Sequence, residues 1–383
     1  MFINQGKGNT MKYTLLVTQE CNLRCPYCYI QKRPISMSLD VAQKIVDFMY
    51  TNTPPGEKMD IGFFGGEPLL AFERIQEITA LIESHRSYRD YSIELSIVSN
   101  GTVFSDAIAD FINRHNISFC ISCDGPGDLH NMSRSFPNGE AASAIVEATI
   151  KQARKTLPVV LVNAVYGPQT FRALPRTVEY FRSLGLKRIF LNPDFSAPWT
   201  QADTDDIAAV YEQISAIYID SYRKGRPLYI SLIDGKIAII LRGGYQPEER
   251  CHMGRKEFAF TPDGYIFPCE RLVGDGAADN RHCIGHVERG LQLDKLNCNV
   301  YPSEAINKSC ITCGLRDYCM NWCGCSNYQS SGYYNRVGPF TCASEKAAIT
   351  VALNAYQMLE RQLGATFFEH LAGKPSMNAI GSR

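Results

Sequence analysis

The chain has 383 residues, 45% of them hydrophobic, with 39 basic and 39 acidic side chains and no net charge. Such a length fits roughly two to three domains, or one large barrel with an appendage, and carries apolar material enough for a core without disulfide staples. Balanced charge argues against a nucleic-acid or anionic-membrane surface, no apolar run reaches the ~18 residues of a membrane span, and a signal-peptide core is lacking, so a soluble, cytoplasmic protein is expected.

After a polar start, Lys12 to Thr18 reads as a short strand that runs into a cysteine-bearing loop. Ser38 or Asp40 caps a helix over about Val41 to Tyr50, with Val41, Ile45, Val46 and Met49 on one face. A second strand, Met59 to Phe64, stops at Gly65-Gly66, and a helix follows around Leu70 to Glu83. The third strand is Ile93 to Val98, ended by Asn100-Gly101. Then come a helix at Phe104 to Arg114 and a fourth strand at Ile117 to Ser122, with Asp124-Gly125-Pro126 as its turn. A helix near Ala141 to Ala153, a strand at Val159 to Val165, a helix at Thr177 to Leu184 beyond the interruption at Pro175, a strand at Arg188 to Leu191 and a long helix at Thr204 to Tyr222 complete the series. Strand–helix units with short, nearly continuous apolar strands are the pattern of an α/β fold with a helix-covered parallel sheet. A partial (β/α)6 barrel over residues 11–235 is preferred to a flat doubly wound sheet, though periodicity does not separate the two.

From about Gly243 the rhythm changes. Gly, Pro, Cys and aromatic residues dominate to Cys342, so residues 245–345 are expected to hold little regular structure, as where metal ligation replaces a large core. Ser344 to Leu371 reads as a closing helix within a tail of residues 346–383. The 15 cysteines are clustered: three lie within Cys21 to Cys28, two at Cys120 and Cys123, and ten between Cys251 and Cys342. An odd, clustered set without an export signal reads as metal ligation rather than a disulfide framework. Cys120 and Cys123 fit no ligand spacing and are expected to be buried, inert thiols.

Cys21, Cys25 and Cys28 form a CxxxCxxC loop directly after the first strand. Three thiolates on a tight loop hold three irons of a [4Fe–4S] cube and leave the fourth iron open to an exogenous ligand. Parallel barrels carry function on such loops, at the carboxyl ends of their strands. A zinc loop is the competing reading, but zinc wants a fourth local partner and none is supplied. With Tyr27 before the last cysteine, the loop resembles the signature of the radical SAM superfamily. The resemblance implies a reduced cluster that cleaves S-adenosylmethionine to methionine and a 5′-deoxyadenosyl radical, which removes a hydrogen atom from the substrate. It also implies an external one-electron reductant of the flavodoxin or ferredoxin type.

Later loops fit the same resemblance. Gly65-Gly66-Glu67-Pro68 is similar to the family's GGEP motif, which contacts the amino group of the methionine moiety. There the glycines let backbone approach the ligand, and Glu67 either holds the turn or accepts from the ammonium. Ser99-Asn100-Gly101 and Ser122-Cys123-Asp124-Gly125-Pro126 resemble the ribose- and methionine-contacting turns, with Ser122 the better candidate. Arg134 matches the arginine that pairs the methionine carboxylate in related enzymes, a geometry that suits a guanidinium fork. A solvated surface arginine is the alternative. Val165, ending the fifth strand, is a candidate to pack on adenine or plain core.

In the second half, Cys251 is followed by twelve residues, Gly264, four residues and Cys269; then come Cys310-x2-Cys313-x5-Cys319-x3-Cys323 and Cys342. This resembles the cysteine pattern of the SPASM domain, although C-x2-C is also a zinc-ribbon spacing. The resemblance implies two auxiliary [4Fe–4S] clusters besides the first. Cys251, Cys269 and Cys323 would hold one, and Cys310, Cys313, Cys319 and Cys342 the other. The first of these lacks a fourth thiolate. Sulfatase-maturing relatives carry an extra cysteine six residues after the first, where this chain has Glu257. Either the cluster has an open iron or Cys283, Cys298 or Cys325 fills it, with the open iron or Cys283 preferred.

SPASM proteins act mostly on peptides and proteins, so the resemblance favours a peptide-modifying enzyme that makes a thioether, carbon–carbon or related crosslink. The runner-up is an anaerobic sulfatase maturase, which oxidises a cysteine or serine to formylglycine. That family has Gln before GGEP, where this chain has Phe64, and an Asp base after the cysteine matching Cys269, where this chain has Glu270. Glu270 is the candidate catalytic base, against a plain surface carboxylate. Only twenty residues precede Cys21, so an amino-terminal leader-binding module is expected to be absent. Leader recognition would then fall to a separate leader-peptide-binding protein or to the barrel. The non-enzyme alternative is an iron–sulfur electron carrier, against which the intact GGEP and Arg134 argue.

Overall fold

The computed structural model describes residues 10–295 and 308–372. Strands β1 (Thr10–Thr18), β2 (Lys58–Gly65), β3 (Ser92–Ser99), β4 (Ser118–Ser122), β5 (Leu161–Tyr166), β6 (Arg188–Pro193) and β7 (Tyr229–Ile230) lie side by side in chain order, every pair parallel. Between and after them come helices α1 (Leu39–Asn52), α2 (Phe72–Ser84), α3 (Asp106–Arg114), α4 (Gly127–Ser133), α5 (Ser143–Thr156), α6 (Leu174–Ser183), α7 (Gln201–Arg223) and α8 (Ser231–Leu241). Consecutive residues Leu15, Leu16 and Val17 are all fully buried, as a strand covered on both faces requires. The fold is α/β, and its sheet is open: the pairing runs to an edge at β7 without returning on itself.

Local sequence accounts for most boundaries. Ser38 caps α1 by accepting from Val41 N, and Ser105 caps α3 by accepting from Ile108 N. Thr200 and Asp203 bond reciprocally at the start of α7. Pro175 does not interrupt its helix. It sits in the first turn of α6, where a missing N–H leaves no bond unmade, so α6 begins at Leu174. Helix α8 escapes periodicity because it has no polar face: Leu232, Ile233, Asp234, Lys236 and Ile237 are all buried.

The carboxy-terminal region departs further from expectation. On the side of β1 away from β2, β8 (Glu257–Phe260) pairs with it in parallel, from Lys12 opposite Glu257 to Leu15 opposite Phe260. Strands β9 (Tyr265–Phe267), β10 (Gly285–His286) and β11 (Gly290–Leu291) continue antiparallel, extending one sheet to eleven strands. Runs of two to four residues leave no alternation for a sequence to show. The closing helix spans Pro339–Leu363, stops at Gly364, and packs on α7 and α8. There Trp199 stacks on Phe340 with centroids 3.5 Å apart, and Tyr211 and Ser344 hydroxyls bond at 2.8 Å. Full burial of a ring such as Phe340 contributes about 2–3 kcal/mol, so this layer fixes the helix firmly. Among the described residues no helix is long and apolar enough to cross a membrane.

Candidate active site and cysteine centres

Parallel pairing places the carboxyl ends of β1 to β6 along one rim. Leu16 lies opposite Phe64, Ser99 opposite Ile121, Ser122 opposite Asn163 and Val165 opposite Asn192. The loop after β1 carries Cys21, Cys25 and Cys28, all half-buried, with sulfurs near enough to repel one another as thiolates. Leu23, fully buried, anchors the loop, and Leu23 N donates to Cys21 Sγ at 3.4 Å. The Lys32 ammonium donates to Cys28 Sγ at 2.6 Å. Burial pushes the Cys25 thiol up to about 11 while neighbouring Arg134 pulls it down.

The GGEP turn is stitched to this loop from behind. Gly66 N donates to Thr18 O and Glu67 N to Glu20 O, both at 2.8 Å. A Cβ on Gly65 would stand 2.1 Å from Thr18 O, and one on Gly66 1.9 Å from Glu20 O. The glycines therefore permit close approach of backbone to backbone. Gly65 also has φ +134°, open to glycine at low cost. Glu67 is fully buried and satisfied by protein: Oε1 accepts from Leu69 N at 3.0 Å and Ser99 Oγ at 2.9 Å, and Oε2 from Asn100 N at 2.6 Å. Of its two expected tasks, holding the turn is the one these bonds perform. Burial raises its carboxyl to about 7 against the pull of the three donors. Pro68, also buried, opens the 3-10 turn that follows. Asn100 reaches back from β3, with Nδ2 at 2.8 Å from Asn22 Oδ1 and 3.7 Å from Cys21 Sγ.

Asp124 organises the opposite side. Its Oδ2 accepts from Tyr27 OH at 2.6 Å, its Oδ1 from Val165 N at 2.9 Å, and Arg134 Nε lies 3.0 Å from Oδ2. The Arg134 side chain is 7% exposed, so it is no solvated surface residue. Its Nε is paired with Asp124, and its guanidinium sits 5.3 Å from the Tyr27 ring centroid. A buried guanidinium held on one edge by Asp124 suits a carboxylate arriving on its other N–H groups. His130, fully buried behind Asp124, is depressed to about 4 by desolvation and by Arg134. Ser122 is buried at the end of β4, and Val165 is half-buried at its own rim position. Cys120 and Cys123 are buried thiols, the latter donating to Gly125 O.

Two further cysteine groups form beyond β7. Cys310, Cys313, Cys319 and Cys342 line one cavity together with Asn321 and Val337. Lys236 of α8 braces it, its Nζ 2.7 Å from Glu345 Oε2 and 3.1 Å from Tyr318 O, while Met320 N donates to the same carboxylate. The other group gathers Cys251, Cys269, Cys323 and Cys325 with Glu257 and Glu270. The Cys251 thiol donates to Glu257 Oε2 at 3.7 Å, and the Cys269 thiol to Glu270 Oε2 at 3.5 Å. Glu270 is 2% exposed, not a surface carboxylate. Cys283 is elsewhere: it lies in an apolar cluster with Leu16, Ile30, Phe267 and Val273, and its thiol donates to Gly285 O. The turn in which Cys283 N donates to Asn280 O at 2.9 Å seats it in that cluster, apart from the group around Cys269. Cys298 lies outside the described residues.

The model of the radical SAM superfamily matches residues 15–181. That match runs from β1 to α6, the part of the chain that holds the CxxxCxxC and GGEP loops. The chain is 23% identical over 330 residues to a cysteine-type anaerobic sulfatase-maturating enzyme of Clostridium novyi, covering 80% of this chain and 85% of that one. It is 24% identical over 339 residues to the radical SAM cyclopropyl synthase TigE of Paramaledivibacter caminithermalis, covering 81% and 66%. Its fold is similar to that of native anSMEcpe with bound AdoMet and Cp18Cys peptide, with a TM-score of 0.77, 19% identity, and 92% and 99% of the two chains covered.

Several site neighbours escape sequence reasoning. Tyr29 stacks on Phe64 and lies near Cys28, Cys269 and Glu270; its phenol is pushed well up by desolvation and by Glu270. Arg271 extends its guanidinium over Tyr29 and Phe195, at 5.8 and 5.1 Å from their centroids. These residues join the first cysteine loop to the auxiliary region across distances in sequence that no spacing rule records. Lys32 and Tyr29 do flank the CxxxCxxC loop, the one available signal.

Proposed function

We propose that this protein binds S-adenosylmethionine along the strand ends and modifies a side chain of a peptide or protein. What carries this reading is the convergence, at one rim, of Cys21, Cys25, Cys28, Asn100, Asp124 and Arg134, with Glu270 buried beside Tyr29. The donor set fits: three half-buried thiols on one loop, with Lys32 and Arg134 offsetting negative charge. When bound there, a [4Fe–4S] cluster supplies the electron that splits S-adenosylmethionine into methionine and a 5′-deoxyadenosyl radical.

The chain's own residues have separable tasks in this reading. Arg134 takes the methionine carboxylate through its guanidinium, while Asp124 holds Arg134, Tyr27 and the Val165 backbone together. Glu67 fixes the β2 and β3 turns so that Ser99 and Asn100 keep station beside Cys21. Ser122 and Val165 face the same rim. Glu270, dry and adjacent to Tyr29, accepts a proton at Oε2 from the substrate. Cys310, Cys313, Cys319 and Cys342, and the group around Cys269, are assigned to two auxiliary [4Fe–4S] clusters. Residues 11–235 form the radical-generating part and 245–345 the auxiliary part, with an external flavodoxin- or ferredoxin-type reductant feeding electrons.

Crosslink formation, including thioether formation, is favoured over formylglycine formation because Phe64 and Glu270 stand where sulfatase maturases carry Gln and Asp. Formylglycine formation is the second reading, supported by the length of the similarity to the Clostridium novyi maturase. Anaerobic reconstitution followed by reduction tests the proposal: 5′-deoxyadenosine should form, and mass spectrometry of a candidate peptide should show loss of hydrogen. A fully loaded preparation that binds S-adenosylmethionine but never cleaves it would leave only an electron carrier.

A further inference from the structure

In the spacing pattern the first auxiliary group is one thiolate short, and the place where sulfatase maturases supply it holds Glu257. The fold brings another sulfur into that gap. Cys325 Sγ lies 3.7 Å from Cys323 Sγ and hydrogen-bonds Cys269, and Cys251 is close enough to feel both Cys323 and Cys325. Cys269, Cys323 and Cys325 are 2%, 7% and 3% exposed.

We infer that Cys325 is the fourth thiolate of the first auxiliary cluster, alongside Cys251, Cys269 and Cys323. This rests on the reading that the group holds a [4Fe–4S] cluster. Cluster iron prefers soft thiolate to carboxylate, so where a thiol and Glu257 both reach the site, the thiol ligates. Local backbone supports the placement. A Cβ on Gly324 would stand 2.3 Å from Met253 Cε, so the Cys323-Gly324-Cys325 bend packs close against the residue that follows His252 and Cys251. Asn327 Nδ2 pins the same bend by donating to Asn321 O at 2.9 Å and Tyr334 O at 3.0 Å. Arg271 lies near Cys325 and offsets the charge of thiolates gathered out of water. Cys283 lies instead in the apolar cluster of Leu16, Ile30 and Phe267. A cluster held by four cysteines has no iron open to a substrate sulfur. The site then relays electrons, and substrate thiolate ligation at this position is not part of the reaction.

The test uses the full chain in a Cys21→Ala/Cys25→Ala/Cys28→Ala background, so that only auxiliary sites load. Iron and sulfide are counted after anaerobic reconstitution, and 13C-cyanide is offered as a probe of an open iron, read by ENDOR. The parent should hold about eight irons and take up no cyanide. Cys325→Ala should either bind cyanide at one iron or lose about four irons, with the other group's iron and the circular dichroism unchanged. Cys325→Ser should bind cyanide weakly or not at all, and Glu257→Gln and Cys283→Ala should behave as the parent. Cyanide uptake by the parent, or a closed cluster in Cys325→Ala that opens in Glu257→Gln, overturns the inference. Only about four irons in the parent would instead remove the cluster reading on which it rests.

Discussion

At the strand ends, Cys21, Cys25 and Cys28 sit on one short loop surrounded by polar groups, each already bonded to a neighbour, whereas Cys251, Cys269, Cys323 and Cys325 come from separate stretches of chain and meet behind apolar side chains. The first centre is positioned by hydrogen bonds between consecutive loops: Gly66 and Glu67 to the residues before Cys21, Glu67 to Asn100, Asp124 to Tyr27 and Val165. The second is positioned by packing, with β8 laid along β1 and the Gly324 bend pressed on Met253. A ligand loop open at the rim can admit S-adenosylmethionine. Buried thiols crowded around one point are suited to hold a cluster closed.

The sharpest way to break that contrast is Cys25→Ala. It should abolish 5′-deoxyadenosine formation, a fall of at least ~10³-fold, as expected when a cofactor's ligand is lost, while the iron bound by the auxiliary groups stays. Retained turnover in that variant would refute the assignment of the first loop. Next in size, Glu67→Ala leaves Leu69 N, Ser99 Oγ and Asn100 N without their acceptor in a fully buried place. About 3–5 kcal/mol of stability should be lost, measured by urea denaturation of the cluster-free protein, because each orphaned donor costs about 1–3 kcal/mol.

A pH series sharpens the polar side of the comparison. His130 is depressed from 6.5 to about 4 in the fold, so the unfolded chain takes its proton first. Its contribution is whole above pH 6.5 and is lost as pH falls toward 4. The difference in unfolding free energy between wild type and His130→Asn should therefore shrink by about 3 kcal/mol across that window. A flat difference would mean that water reaches His130. The smallest effect is expected from Lys32→Met, which removes the ammonium beside Cys28 Sγ. The first cluster's midpoint potential, followed by EPR-monitored titration, should move to a more negative value, and the auxiliary potentials should not move. Equal shifts in all of them would show the two centres to be less independent than their construction implies.

Much of the rim was legible because its residues are adjacent in sequence to strand ends. Once Leu15 to Val17 and Phe63-Phe64 are read as buried parallel strands, CxxxCxxC, GGEP, Ser99-Asn100 and Asp124 must share one edge. Arg134 could be proposed from spacing, but its burial against Asp124 and Tyr27 could not, since a polar helix-end sequence looks alike in solvent and in a pocket. Helix α8 was hidden by being buried nearly all round, its Asp234 and Lys236 included, and β8 to β11 by being too short to alternate.

What the sequence by itself determined is the spacing of the cysteines and the series of parallel strand–helix units, because both are set locally, by position along the chain and by apolar periodicity. What only tertiary structure decided is which of Cys283 and Cys325, among the described residues, lies with Cys251, Cys269 and Cys323. Cys283 and Cys325 are alike in chemistry, and no spacing separates them. They differ because one follows a turn that packs behind Leu16 and Phe267, and the other follows a glycine pressed against Met253 next to Cys251. The direction of a side chain across a long-range contact is fixed by packing, and packing is not written in any short stretch of residues.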